Sequence, residues 1–415
     1  MSLAPADVCV IGAGLTGVCA ALELARAGVA VTLVDQDAQP LNRASLRNEG
    51  KIHLGLVFAN DPSLATASLM LDGALSFRRH LARWIGARAA ALSASTPFTY
   101  LVAGDSILSP DTLAERYAAI EALYHAKLRS QPSSDYLGTR PDRLATRVPV
   151  ARVAPALRPD GLAGAFRTSE LALDTAELAA ALRVAIAGSP RIRFLPRHAV
   201  ASVARRADGF AIDGAGPAGP WRLVAGQVVN ASWESRLAID RTVGLDAAPG
   251  WLHRLKYRVV AQLPADLCGG PSVTMVQGPY GDVVVRADGT AYFSWYPLGL
   301  KGWTHDLAPP ASWAAPCRGD ADPDTAAAFA EGCLRAIDRW YPGAARSTPL
   351  AVDAGVIVAY GRSDVDDPKS GLHDRTRVGV HAVDGYCSVD PGKLTTAPLF
   401  GIAAAREVLG ARVAE

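Results

Sequence analysis

The most regular hydrophobic pattern lies at the start of the chain, where Val8-Cys9-Val10-Ile11 is a short, wholly apolar and largely β-branched run. Such a run predicts a strand buried on both faces. Leu15 to Ala27 carries helix formers and is followed by Gly28, a residue suited to a left-handed helix cap. Val29 to Val34 predicts a second, parallel strand, with Asp35 at its carboxyl end. Between the first strand and the helix, Gly12, Gly14 and Gly17 complete the spacing G-x-G-x-x-G. Gly12 suits the tight turn, Gly14 close approach of backbone to a pyrophosphate, and Gly17 close packing of helix on strand. Leu15 and Thr16 open the helix, so their end of it offers amide donors to phosphate, and Asp35 is placed to accept bonds from a ribose. The pattern therefore predicts a dinucleotide site, without separating FAD from NAD.

Apolar residues at helical spacing predict amphipathic helices over Leu69–Ala89 and Asp111–Lys127, the second opened by a Thr112/Glu115 capping box. Leu128 to Asp142 is rich in Ser, Pro and Asp without periodicity and reads as a loop, whereas Thr175–Ala187, Thr325–Tyr341 and Leu399–Leu409 read as helices. Short strand signals fall at 191–195, 199–204 and 209–212. From Leu255 to Trp295 the pattern is β throughout, with Tyr257–Leu263, Ser272–Val276, Gly281–Arg286 and Ala291–Trp295 separated by turn residues. That block predicts an antiparallel sheet.

A chain of 415 residues exceeds one ordinary core, so two domains are expected. A net charge of +2 gives no electrostatic case for nucleic acid or an anionic membrane surface. The six cysteines lack C-x-x-C or zinc-type spacing, which points to buried thiols and no metal site. Glu23 and Arg26 interrupt the apolar stretch Val8–Val34, so no membrane span is expected there, and with no basic leader a cytoplasmic location is expected.

Beyond the first unit, Ser45, Arg47, Gly50, Ile52, His53 and Gly55, followed by Asp61-Pro-Ser-Leu64, meet an S-S-R-x-x-G-x-I-H-x-G pattern. This segment resembles the one that follows the dinucleotide fingerprint in the D-amino acid oxidase superfamily of flavoproteins. Within it, the motif is most similar to the branch of glycerol-3-phosphate dehydrogenase and L-2-hydroxyglutarate oxidase. Phe166 to Asp174 resembles the stretch that re-enters the FAD domain. Val228-Val-Asn230-Ala-Ser-Trp233 resembles V-V-N-A-x-G, with Trp233 where the glycine stands, and Gly392-Lys393-Leu394-Thr395 resembles the closing G-G-K-L-T turn. The resemblance implies FAD as cofactor and an α/β, two-domain fold: a Rossmann-like domain with a parallel sheet, and an antiparallel-sheet substrate domain. It implies FAD-binding segments at 1–60, 150–240 and 350–415, and substrate segments at 61–149 and 241–349. It also places Asn230 and the 392–395 turn beside the cofactor.

The activity implied is removal of a hydride from a C–OH or C–N carbon of a small polar metabolite, leaning to C–OH, with oxygen or another molecule as electron acceptor. An amine or amino acid oxidase, or a flavin-carrying subunit without chemistry of its own, are the alternatives; oligomeric state is left open. His53 is the candidate base beside the ring, because imidazole titrates near working pH, or else it fixes the loop. Arg47 contacts phosphate or supports the loop, and Lys393 is a turn residue or a flavin contact. Arg286 is a candidate anion clamp or a solvent-facing strand residue. Ile357 stands where relatives carry an arginine in A-G-x-R-P, and Arg362 is a candidate to reach the same space.

Overall fold

The computed structural model describes residues 1–153, 157–158, 160–361, 371–372 and 374–413. Two large sheets organise them. In the first, Gly379–Val383, Tyr386–Asp390, Gly219–Asn230, Ala6–Ile11, Val31–Val34 and Ile192–Leu195 lie in that order, with Ala199–Arg206 and Gly209–Gly216 as an antiparallel extension. Its centre is parallel: Val8 stands beside Val31 on one side and Gln227 on the other. Val8 to Ile11 and Val31 to Val34 are buried throughout, as strands covered on both faces must be.

The second sheet has nine strands, ordered Leu300–Thr304, Trp251–Gln262, Thr290–Trp295, Gly281–Val285, Ser272–Val276, Phe98–Ala103, Leu162–Thr168 and Ala145–Val148, with Thr348–Tyr360 also paired to Trp251–Gln262. All its pairings are antiparallel except Ser272–Val276 with Phe98–Ala103. The mixed α/β, two-sheet fold agrees with the expectation.

Several boundaries differ. Leu162–Thr168 and Thr348–Tyr360 pair in the second sheet, although residues from 150 and from 350 were expected with the first. The helix Ala65–Ile85, expected in the substrate region, packs against the closing turn: a methyl on Gly73 would come 2.7 Å from the Thr395 carbonyl. The helix Pro110–Ser130 starts at an N-cap Ser109, whose hydroxyl accepts from the Thr112 amide, so the cap lies three residues before Thr112. Pro110 at its first position explains the shift, since proline there forfeits no helical hydrogen bond.

The opening helix Leu15–Arg26 and the closing helix Ala397–Val413 pack tightly, because Gly401 brings backbone against Cys19 and Thr16. Their contact ties the two ends of the chain around one side of the first sheet.

Candidate active site

A deep cavity runs between the carboxyl edge of the first sheet and one face of the second. At the first sheet it is lined by Gly12, Gly14, Leu15, Thr16 and Asp35. Gly12 has φ +94°, and a methyl there would sit 2.6 Å from the Ala231 carbonyl; one on Gly17 would be 1.9 Å from the Gly12 carbonyl. Both positions therefore exclude a side chain for internal reasons. Gly14 is different, because a methyl there would meet only the Ser45 hydroxyl, at 3.2 Å. Its face toward the cavity is open. The Ser45 hydroxyl accepts from the Leu15 amide at 2.8 Å and holds the next loop against the helix start. Asp35 accepts from the Ala13 and Asp37 amides at 2.6 and 2.8 Å, and burial pushes its carboxyl up to about 6.

From Asn42 the loop runs along the cavity floor. Arg43 pairs with Asp37 and Glu234, while Arg47 reaches the Asn42 and Arg318 carbonyls and lies 3.3 Å from Asp353. Arg47 is thus a tie between this loop and the second sheet. His53 is 3 % exposed and lines the cavity; its amide donates to the Thr395 hydroxyl at 2.9 Å, fixing it to the closing turn. Neither ring nitrogen has a hydrogen-bond partner among the described residues. Glu49 Oε1 stands 3.6 Å from Nε2. Burial lowers the imidazole's proton affinity, with Glu49 and Glu170 opposing and Lys393 and Lys51 adding to the effect. Burial works against ionising Glu49, yet His53, Lys393 and Lys256 hold its carboxyl well below the usual range. The resting pair is accordingly a neutral imidazole beside a carboxylate.

The opposite wall comes from Trp251–Gln262. Arg254, Lys256 and Arg258 recur at period two, so all three point to the same face, and all three line the cavity. Arg258 forms a two-pronged pair with Asp353, and Lys51 and Lys256 flank Asp282 at 3.4 and 3.9 Å. Lys393 lines the cavity from the closing turn, its ammonium pushed down to about 8 by burial, with Arg375, Lys256 and Arg254 adding and Glu49 opposing.

Of the residues singled out from the sequence, Gly12, Gly14, Leu15, Thr16, Asp35, Ser45, Arg47, His53, Gly392, Lys393 and Leu394 meet at this cavity. Others support it from behind. Gly50 passes against the Leu173 carbonyl, and buried Ile52 accepts from the Tyr136 hydroxyl through its carbonyl. The Thr395 hydroxyl holds the His53 amide, and buried Asn230 bonds Asp240, Tyr386 and Ser232. Asn230, expected beside the cofactor, thus braces the strand end instead. Arg286, expected as an anion clamp, lies outside the cavity lining, 3.7 Å from Asp174. Arg362 lies outside the described residues. Trp233 adopts φ +55°, a left-handed conformation that normally selects glycine, and its indole donates to the Val356 carbonyl at 2.8 Å.

Glu49, Lys51, Arg254, Lys256, Asp282 and Arg375 were not singled out from the sequence, and all line the cavity. The period-two spacing of Arg254, Lys256 and Arg258 within an apolar strand was the available signal. Lys51 is buried in a two-residue strand and stands 4.0 Å above the Phe98 ring.

A Rossmann-like corner facing a largely antiparallel sheet across a cavity suits a protein that binds a dinucleotide. The profile of the DAO family, the FAD dependent oxidoreductases, matches residues 7–406, and the chain belongs to that family. Among curated proteins no sequence matches. Solved structures share the fold. Glycine oxidase from Geobacillus kaustophilus superposes with a TM-score of 0.67 at 17% identity, over 97% of this chain and 94% of that one. Dithionite-reduced L-alpha-glycerophosphate oxidase from Mycoplasma pneumoniae, with FAD bound, gives 0.65 at 16%, over 98% and 95%. Iminodiacetate oxidase from Chelativorans sp. BNC1 gives 0.63 at 19%, over 97% and 95%.

The cofactor is FAD, and the cavity fits it: the open backbone at Gly14 and the helix start suit a pyrophosphate, and Asp35 retains lone pairs at the strand end. Among the described residues no helix is long and apolar enough to cross a membrane. Cys387 is buried, its thiol pushed up to about 12 by desolvation, and it does not line the cavity.

Proposed function

We propose that the protein oxidises a C–OH carbon of a small polar metabolite, with His53 taking the hydroxyl proton. The observation that carries this reading is the His53 imidazole, buried at the cavity wall with both nitrogens unbonded among the described residues and a carboxylate 3.6 Å away. A neutral imidazole is ready to accept a proton, and Glu49 stabilises the imidazolium that results. The Thr395 hydroxyl fixes the backbone of His53, and the Phe58 ring, edge-on at 5.7 Å, limits how far the imidazole turns.

FAD, when bound, supplies the acceptor for the hydride. Gly12, Gly14, Leu15, Thr16 and Asp35 would hold its adenosine diphosphate portion, and Lys393 and Leu394 its ring end. The first sheet with 1–60 and the closing segment forms the FAD unit, and the second sheet forms the substrate unit. Tyr292, Tyr296 and Met275 line the same cavity.

The test is reduction of FAD-loaded His53→Ala by stopped flow, using the best substrate from an anaerobic screen of alcohols and amines. A loss of about two to four orders of magnitude in the reduction rate, at unchanged FAD content, is expected. A near-normal rate would rule His53 out as the base, and ammonia release would shift the reading to amine oxidation.

A further inference from the structure

His53 sits one residue past a two-stranded ribbon in which Lys51–Ile52 pairs antiparallel with Leu171–Ala172. Ile52 stands opposite Leu171, so continuing that register brings Glu170 opposite His53. The Tyr136 hydroxyl locks the ribbon, donating to the Ile52 carbonyl at 2.7 Å and accepting from the Leu171 amide at 2.8 Å. Glu170 is completely buried. Its Oε1 accepts from the Leu54 amide at 2.6 Å, and its Oε2 accepts from the Tyr100 hydroxyl. The backbone at His53 is therefore tied on both sides, its own amide to Thr395 and the next one to Glu170.

A carboxylate is a costly way to hold one amide. Removing it from water costs several kcal/mol, and a serine or glutamine would accept the same bond without that cost. Both donors to Glu170 are neutral. Burial, with Glu170 adding, pushes the Tyr100, Tyr117 and Tyr136 phenols well up, so they keep their protons. What the fold places around this carboxylate is the His53 loop: the imidazole opposite, and the Lys51 ammonium, 5.3 Å from the centre of the Tyr100 ring. Around the imidazole, Glu49 and Lys51 come from its own loop, Lys393 from the closing turn and Glu170 from the segment Phe166–Asp174. The two carboxylates favour the imidazolium and the two lysines oppose it. Glu49 alone would face two ammonium groups; Glu170 evens the count.

We propose that Glu170 is a positioning residue for His53, clamping the amide that follows it and supplying, with Glu49, the negative charge that steadies the imidazolium. The proposal rests on the reading of His53 as the base. The substrate hydroxyl proton goes to the imidazole, and Glu170 exchanges none. Its part is to hold the backbone behind the ring and to make the charged ring less costly in a buried place.

The experiment follows the imidazole resonances of histidine-labelled, FAD-loaded protein by NMR from pH 5 to 9, with no substrate present. The chain has eight histidines, and the signal lost in His53→Gln assigns the residue. Glu170→Gln keeps an acceptor for the Leu54 amide and removes the charge. It should lower the pH at which His53 is half protonated by about half a unit or more, a loss of roughly threefold or more in proton affinity. Thr395→Val unties the other side of His53 without changing any charge, and should leave that pH close to the wild-type value. Glu170→Asp draws the charge back by one methylene and should fall between wild type and Glu170→Gln; it decides if Glu170→Gln does not retain FAD. An unchanged half-protonation pH in the deciding variant, an equal shift in Thr395→Val, or a wild-type imidazole still neutral at pH 5 overturns the proposal. A shift accompanied by near-normal flavin reduction in His53→Ala keeps the coupling of Glu170 to His53 and removes His53 as the base; slow reduction without a shift does the reverse.

Discussion

The glycine corner at Gly12–Gly17 and the basic strand Trp251–Gln262 line one cavity by opposite means. The corner works through what it lacks: no side chain at Gly12 or Gly17, because backbone occupies the space, and none at Gly14, which faces the cavity. The strand works through what it carries, with Arg254, Lys256 and Arg258 on one face. Backbone recognition suits a cofactor whose phosphates are the same in every relative. Side-chain recognition suits a substrate that differs from one member to the next, since a strand face can be re-lettered without disturbing its ladder. On the proposed reading, specificity would be written on the sheet opposite the corner.

Two alanine substitutions in the corner break the comparison most severely. Gly17→Ala puts a methyl 1.9 Å from the Gly12 carbonyl, where backbone has to give way. A cost of about 3 kcal/mol or more is expected, visible as a lower midpoint of thermal unfolding with and without FAD. Gly14→Ala, with its methyl 3.2 Å from the Ser45 hydroxyl, should unfold at nearly the wild-type temperature as apoprotein yet bind FAD at least about tenfold more weakly. Equal effects on apoprotein stability would show that the two glycines have the same task.

How much of this was readable beforehand follows the same division. The corner is contiguous, so its glycine spacing, helix and second strand were all readable from residues 8 to 35. The charged wall was not, because Glu49, Arg254, Asp282 and Arg375 come together only when the two sheets face each other. Asn230 misled because its motif marks the strand end beside the corner, while its amide is consumed by Asp240 and Tyr386. Arg286 misled because strand alternation states that a residue faces one side, not which side holds the cavity. Trp233 shows the reverse: a departure from the usual glycine still adopts the left-handed backbone, anchored by its indole to Val356.

A smaller effect is expected at Asp35, a carboxylate that braces the corner. Asp35→Ala removes the acceptor for the Ala13 amide and for a ribose, and FAD affinity should fall by roughly 1.5–3 kcal/mol. The buried carboxyl protonates near 6 in the absence of cofactor, and a ribose hydroxyl donates best to the ionised form. Retention of FAD by the wild type should accordingly weaken as pH falls through about 6, and Asp35→Asn should lose that step. Dialysis at pH 5 and pH 7, with flavin measured in the retentate, separates these outcomes; equal retention by wild type and Asp35→Ala would place the ribose elsewhere.

The finest expected effect concerns Glu49, which joins the two regions by sitting on the cofactor loop while acting on the substrate side. The groups that bear on the His53 imidazole are Glu49 and Glu170, which favour its protonated form, and Lys393 and Lys51, which oppose it. Removing the nearest carboxylate as Glu49→Gln leaves the lysines less opposed, so the imidazole becomes a weaker base and holds its proton only at lower pH. A base must be unprotonated to act, and the acidic limb of the flavin reduction rate should move to lower pH in the variant. The plateau rate should fall by no more than about tenfold, because proton acceptance survives with reduced driving force. Reduction measured by stopped flow from pH 5 to 9 checks both features together. A limb that moves upward, or stays in place, means that Glu49 does not tune His53, and its carboxylate then serves Lys393 instead.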